Sequence, residues 1–210
     1  MDKTPETNMH DLEMSKNRDH KIEITDIAIN KVPRVEYREI PETEYDSLQE
    51  YAKEVLRISK NSNNSNEVAI TYSLNYRELI ENGEDYMGIS LGDEHSVDPL
   101  SSAVAYHLVG TSADCVVIVM HNHPSLSKLS LDDIKFLLQH DAVKMIVAVT
   151  NLGSISYLVK KDSYSKNDAI LLYNQAVSKH NISQSLKDYQ KSVEVFLEKC
   201  HEVNIVYEDR

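Results

Sequence analysis

The sequence predicts a mixed α/β or α+β protein, with a central mixed β-sheet flanked by helices. Three observations carry this. CVVIVM (115–120) is an unbroken apolar run bounded by polar residues, as expected of a central strand buried on both faces. Stretches with three- and four-residue apolar spacing precede and follow it, which marks helices. β-Branched runs separated by Asn, Gly and Ser supply further strands.

Taken in order, residues 1–20 combine many charges with few aliphatic side chains and read as a disordered polar tail. KIEITDIAINKV (21–32) alternates Ile22/Ile24 and then Ile27/Ile29, a strand with a register break, inside an N-terminal extension over 21–42. TEYDSLQEYAKEVLRIS (43–59) is the first helix, with Tyr45, Leu48, Ala52, Val55 and Leu56 on one stripe and Thr43/Asp46 as its cap. Glu67 opens the strand EVAITYSLN, and Asn82-Gly83 separates it from an antiparallel partner, YMGISLG (86–92). Asp98 as cap, Pro99 at the first helical position, the stripe Leu100, Val104 and Leu108, and Gly110 as terminator define the next helix. After the central strand and one more helix, MIVAVT (145–150) and SISYLVK (154–160) flank Asn151-Leu152-Gly153 as a hairpin. Residues 163–210 read as a helical C-terminal extension, split near Asn181-Ile182-Ser183. Its second helix carries Leu186, Tyr189, Val193, Phe196, Leu197 and Cys200 on one face, a core stripe or a surface for homo-oligomerisation. The core then spans 43–162.

Composition narrows the function classes. Apolar residues make up 41% and charged residues 27% of the 210, a globular balance without the roughly 20-residue apolar run needed to cross a bilayer. No apolar segment follows the polar start, so no secretory signal is expected. The two cysteines, Cys115 and Cys200, form no disulfide framework; Cys115 reads as a buried thiol, and a cytoplasmic location fits. A net charge of −12, with lysines scattered among acids, disfavours extended nucleic-acid or membrane-surface binding.

The chemistry concentrates in His121-Asn122-His123-Pro124 and the following Ser130-Leu131-Asp132-Asp133. Residues two apart on a strand face the same way, so both imidazoles can aim at one point. Pro124 stops the strand, and Asp133 falls in the first turn of the next helix. Two imidazole nitrogens and one carboxylate, with a fourth position left to water, is a catalytic zinc arrangement, whereas structural sites close with four protein ligands. Zinc held in this way lowers the pKa of its water toward roughly 7. Ser130 and Asp133 also have the spacing of a capping box, which is compatible with a ligand role. His107 reads as packing, and His140, at the end of the motif helix, as a cation suited to the helix dipole.

HNHPS followed by SLDDI resembles the JAMM (JAB/MPN-plus) metalloprotease family, whose motif is an upstream Glu, HxHP, a spacer and SxxD. The wording is nearest to RadC-like bacterial proteins and to JAB domains of phage and mobile elements. The spacer Ser125–Leu129 is one residue shorter than that family's usual loop, and Leu126 stands where RadC-like proteins have Gly. The resemblance covers roughly 44–162 and implies a JAB/MPN fold, of cytidine-deaminase-like architecture. It implies zinc at His121, His123 and Asp133, with Ser130 hydrogen-bonding the developing oxyanion. It further implies a glutamate at the start of the strand after the first helix as general base, a position that Glu67 holds, with Glu84 in reserve. The expected activity is that of a zinc metallopeptidase or isopeptidase acting on a protein or peptide. The alternative is an MPN-type binding or assembly module associated with DNA repair or mobile elements. A nucleobase deaminase would need HxE and a later PCxxC, which this sequence lacks.

Overall fold

The computed structural model describes residues 20–75, 86–178 and 185–210. The polar tail before residue 20, Asn82-Gly83, Glu84 and the break near 181–183 lie outside these residues. Six strands form one mixed sheet in the order β2-β1-β3-β4-β5-β6: β1 Val68–Ser73, β2 Met87–Leu91, β3 Val117–His123, β4 Val143–Thr150, β5 Ile155–Lys160 and β6 Ile205–Asp209. The β3–β4 pair is parallel; every other neighbouring pair is antiparallel. Helices cover both faces: α1 Asp26–Lys31, α2 Tyr45–Ser62, α3 Ala103–Thr111, α4 Leu131–Gln139, α5 Lys166–Ser178 and α6 Leu186–Lys199. The expected class, a mixed sheet flanked by helices, is what the chain adopts.

The central strand alternates between two cores. Ile118 and Met120 point into a layer with α2 and the segment 24–40, where Tyr37 packs on Tyr157 at 5.0 Å between ring centroids. Val117 and Val119 point into the opposite layer with Ile134 and Leu137 of α4, Leu172 of α5 and Phe196 of α6. Burial on both faces explains why β3 and β4 read as continuous apolar runs. On this second face α3 lies so close to β2 that a Cβ on Gly88 would sit 2.5 Å from the Ala105 backbone nitrogen.

Several expectations change. Residues 26–31 are helical, not a strand: Thr25 caps Ala28 N, and the buried residues Ile24, Ala28, Ile29 and Val32 have helical spacing. The supposed register break was a helix start. Thr43 and Asp46 form no cap; a 3-10 turn over Glu42–Glu44 leads into α2, and Asp46 instead accepts Arg34 Nε at 2.5 Å. The helix expected after Asp98 is two pieces, a 3-10 turn (Pro99–Ser101) capped by Asp98 and α3 capped by Ser102, which runs through Gly110 to Thr111. Cys115 is only half-buried and precedes β3 in the left-handed region (φ 57), while Cys200 is the buried thiol. His107 is exposed and bonds within its own helix to Thr111.

The C-terminal extension is not helical throughout, because Ile205–Asp209 adds the sixth strand alongside β5. The segment IVYED was hidden by its short length and acidic end. The hairpin after β4 forms as expected, with Gly153 at φ 91. At the end of α4, burial and the charges of Lys160 and Lys166 push the His140 pKa down, so the expected cationic histidine is disfavoured. The cation serving that helix end is buried Lys160, whose Nζ donates to the His140 carbonyl at 2.9 Å.

Candidate metal centre

The two histidines occupy the last positions of β3 that face the α4 side, in line with Val117 and Val119. Ala69 of β1 and Ala148 of β4 flank His121, and both are small enough to leave the imidazole room. Continuing the antiparallel register by two residues sets Glu67 across from His123 on the same face. Asp133 arrives from the first turn of α4, where Ser130 closes a capping box: its hydroxyl accepts Asp133 N–H, and Asp133 Oδ2 accepts Ser130 N–H at 2.7 Å.

These elements bring His121, His123 and Asp133 to one point. His121 Nε2 lies 2.9 Å from His123 Nε2 and 3.0 Å from Asp133 Oδ1, and His123 Nε2 lies 3.5 Å from Asp133 Oδ2. Among the described residues, this trio is a group able to hold a metal ion. Donors about 2.0–2.1 Å from a tetrahedral zinc stand roughly 3.3 Å apart, and the 2.9 and 3.0 Å from His121 Nε2 to His123 Nε2 and Asp133 Oδ1 are close to that spacing. The tautomer matches too. His123 Nδ1–H donates to the Ser127 carbonyl at 2.9 Å, which leaves Nε2 of the neutral ring as the lone-pair donor. Asp133 Oδ2 is held by the Ser130 hydroxyl (2.7 Å) as well as by its amide, so Oδ1 is the oxygen left for a metal. The residues therefore fit a three-ligand site with an open fourth position.

The electrostatics of the cluster suit a cation. Burial alone would drive the proton from His123, but the hydrogen bond and charge of Asp133, with Glu67 adding, push its pKa up to about 9. Burial likewise works against the Asp133 carboxylate, yet His121 and His123 hold its pKa well below the usual range. Burial raises the Glu67 carboxyl, only partly offset by His123 and His121. Together these shifts favour a protonated His123 beside an ionised Asp133 in the metal-free chain.

The raised histidine stabilises the metal-free fold fully below about pH 6.5, and this contribution is lost as pH rises through about 9. The difference is worth roughly 3 kcal/mol. Metal competes with that proton, so its affinity rises over the same window. Melting scans from pH 6.5 to 9.5 should show the metal-free protein losing stability while added zinc stabilises it progressively more. Parallel pH profiles with and without zinc would count against a shared site.

The site opens into a cavity of about 1130 Å³, lined by Glu67, His121, His123 and Asp133 together with Tyr189 and Leu197 of α6. Lys128 pairs with Asp209 and ties the 124–130 loop to β6. The N-terminal segment also reaches the site, where Ile22 N–H donates to the Pro124 carbonyl at 2.7 Å.

Sequence reasoning missed the polar network behind the ligands. Asn122 points to the α2 side, fully buried. Its Oδ1 accepts Val68 N–H at 2.8 Å, and its Nδ2 reaches Asn151 Oδ1 (2.8 Å), the Asn66 carbonyl (3.1 Å) and Ser59 Oγ (3.2 Å). Asn151 Nδ2 continues to the carbonyls of Ile22 and Ser65. This fixes the end of β3 from the face opposite the metal ligands. The available signal was an Asn inside an otherwise buried strand, where an amide persists only when its bonds are satisfied.

Comparison of the chain with protein-family models, with curated proteins and with solved structures finds no match. Among the described residues no helix is long and apolar enough to cross a membrane.

Proposed function

We propose that this chain is a zinc-dependent hydrolase of the JAMM type, a metallopeptidase or isopeptidase with a JAB/MPN-like fold that acts on a protein or peptide substrate. The observation that carries the reading is the convergence of His121 Nε2, His123 Nε2 and Asp133 Oδ1 beside a buried Glu67, all lining one open cavity. Zinc held by these donors supplies a Lewis acid that polarises an amide carbonyl and acidifies a water.

The rest of the chemistry falls to the chain. Glu67, its pKa raised by burial, is suited to take a proton from the attacking water and deliver it to the leaving amine. Asp133 is kept in place by the Ser130 hydroxyl and amide. Ser130 is therefore first a positioning residue. Its family role at the oxyanion requires its proton to leave Asp133. The Ser127 carbonyl orients His123, and the Asn122 network sets the strand end from behind.

The test combines metal content with hydrolysis. Zinc-loaded protein is incubated with a mixed peptide and isopeptide library, and new termini are read by mass spectrometry. Zinc-dependent cleavage is expected, and Glu67→Gln should retain zinc while losing at least about a hundredfold in rate. A protein that binds zinc but cleaves nothing would favour a binding module, and a fully active Glu67→Gln would remove the base assignment.

A further inference from the structure

The helix α6 lies outside the stretch that carries the metal motif, yet it contributes a side chain to the site. Tyr189 lines the same groove as His121, His123 and Asp133, and its hydroxyl oxygen accepts the Leu131 N–H at 3.0 Å. Leu131 is the first residue of α4, so this amide is one of the donors that a helix start leaves without an internal partner. The bond fixes the phenol oxygen directly beside the capping box that presents Asp133.

Counting protons separates the two hydroxyls at this spot. Ser130 has one, and it goes to Asp133 Oδ2 at 2.7 Å. Ser130 cannot give that proton to another oxyanion without releasing the ligand. Tyr189 accepts a backbone N–H, meets the Ser130 hydroxyl in a side-chain hydrogen bond, and lines the same groove. Burial raises the phenol pKa, so the donor stays protonated at neutral pH.

We infer that Tyr189 is a hydrogen-bond donor of the metal site, stabilising negative charge on an oxyanion bound at the open metal position, with Ser130 reserved for holding Asp133. The inference rests on the metal reading above and adds to it a residue from the C-terminal helices. A neutral phenol anchored by a backbone amide is a preorganised donor, needing no reorientation of the ligand shell.

The test uses the full chain loaded with cobalt(II), with inorganic phosphate as the oxyanion probe and the visible absorption of the metal as readout. Tyr189→Phe, which keeps the ring and its packing, should bind cobalt as the unaltered protein does but bind phosphate about tenfold more weakly. Ser130→Ala should show the opposite pattern, with cobalt affinity reduced about tenfold or more. Unchanged phosphate affinity in Tyr189→Phe overturns the inference. So does a parallel loss of cobalt affinity, which would make the phenol a mere prop for α4, or an unaltered protein whose spectrum ignores phosphate. An unaltered protein that takes up no cobalt removes the metal reading itself, a failure seen before any phosphate is added.

Discussion

Replacing His123 with alanine should lower zinc affinity by on the order of a thousandfold, because it removes one of the three proposed protein ligands. Metal content after dialysis against a weak chelator reads this directly. The same substitution should destabilise the metal-free protein. Asp133, partly buried, would keep His121 and Ser130 but lose the partner that carries a proton up to about pH 9, and breaking a pair of this kind costs up to about 3 kcal/mol. The two effects separate the readings of the cluster. If the trio were only a buried ion pair with a capping box, the unaltered protein would hold no zinc, and His123→Ala would change stability alone. Retention of zinc at unaltered stoichiometry in the variant would show the metal to lie elsewhere.

The second large effect is expected at Asn122. Alanine there leaves the Val68 amide and Asn151 Oδ1 without their partner in a region closed to water, while the Asn66 carbonyl keeps only the Ser59 hydroxyl. Buried polar groups stripped of partners cost roughly 1–3 kcal/mol each. A total of about 4 kcal/mol is expected, a melting point lower by on the order of 10 °C. Because this network also fixes the end of β3, metal affinity should fall along with stability. A calorimetric melt within two degrees of the unaltered protein would contradict the account of the network. By contrast, Glu67→Gln should leave metal content intact, which sets the scaffold residues apart from the proposed base.

The ligand set was legible because its logic is local. A strand that alternates its faces, a proline stop and a helix cap nine residues from His121 can all be read from one short stretch, and His121, His123 and Asp133 meet as that stretch implies. Glu67 was harder, since its place across from His123 depends on how β1 pairs with β3, a long-range register. What escaped was non-local in the same sense. Ile205–Asp209 becomes a strand because β5 offers it an edge, not because its residues insist on one. The segment at 21–32 has two isoleucine pairs that suit either period, and Thr25 capping Ala28 decides for a helix over 26–31. Asn122 and Tyr189 gain their meaning from partners 29 to 63 and 58 residues away, respectively. Their roles belong to packing.

The central claim is a metal bound by these three residues with Glu67 facing its open side. Diffraction from zinc-loaded crystals, collected on both sides of the zinc absorption edge, tests it most directly. One anomalous peak is expected, bounded by His121 Nε2, His123 Nε2 and Asp133 Oδ1, with the Glu67 carboxylate turned toward the fourth position. A peak at any other set of ligands, no peak at all, or a different carboxylate at that position would contradict it.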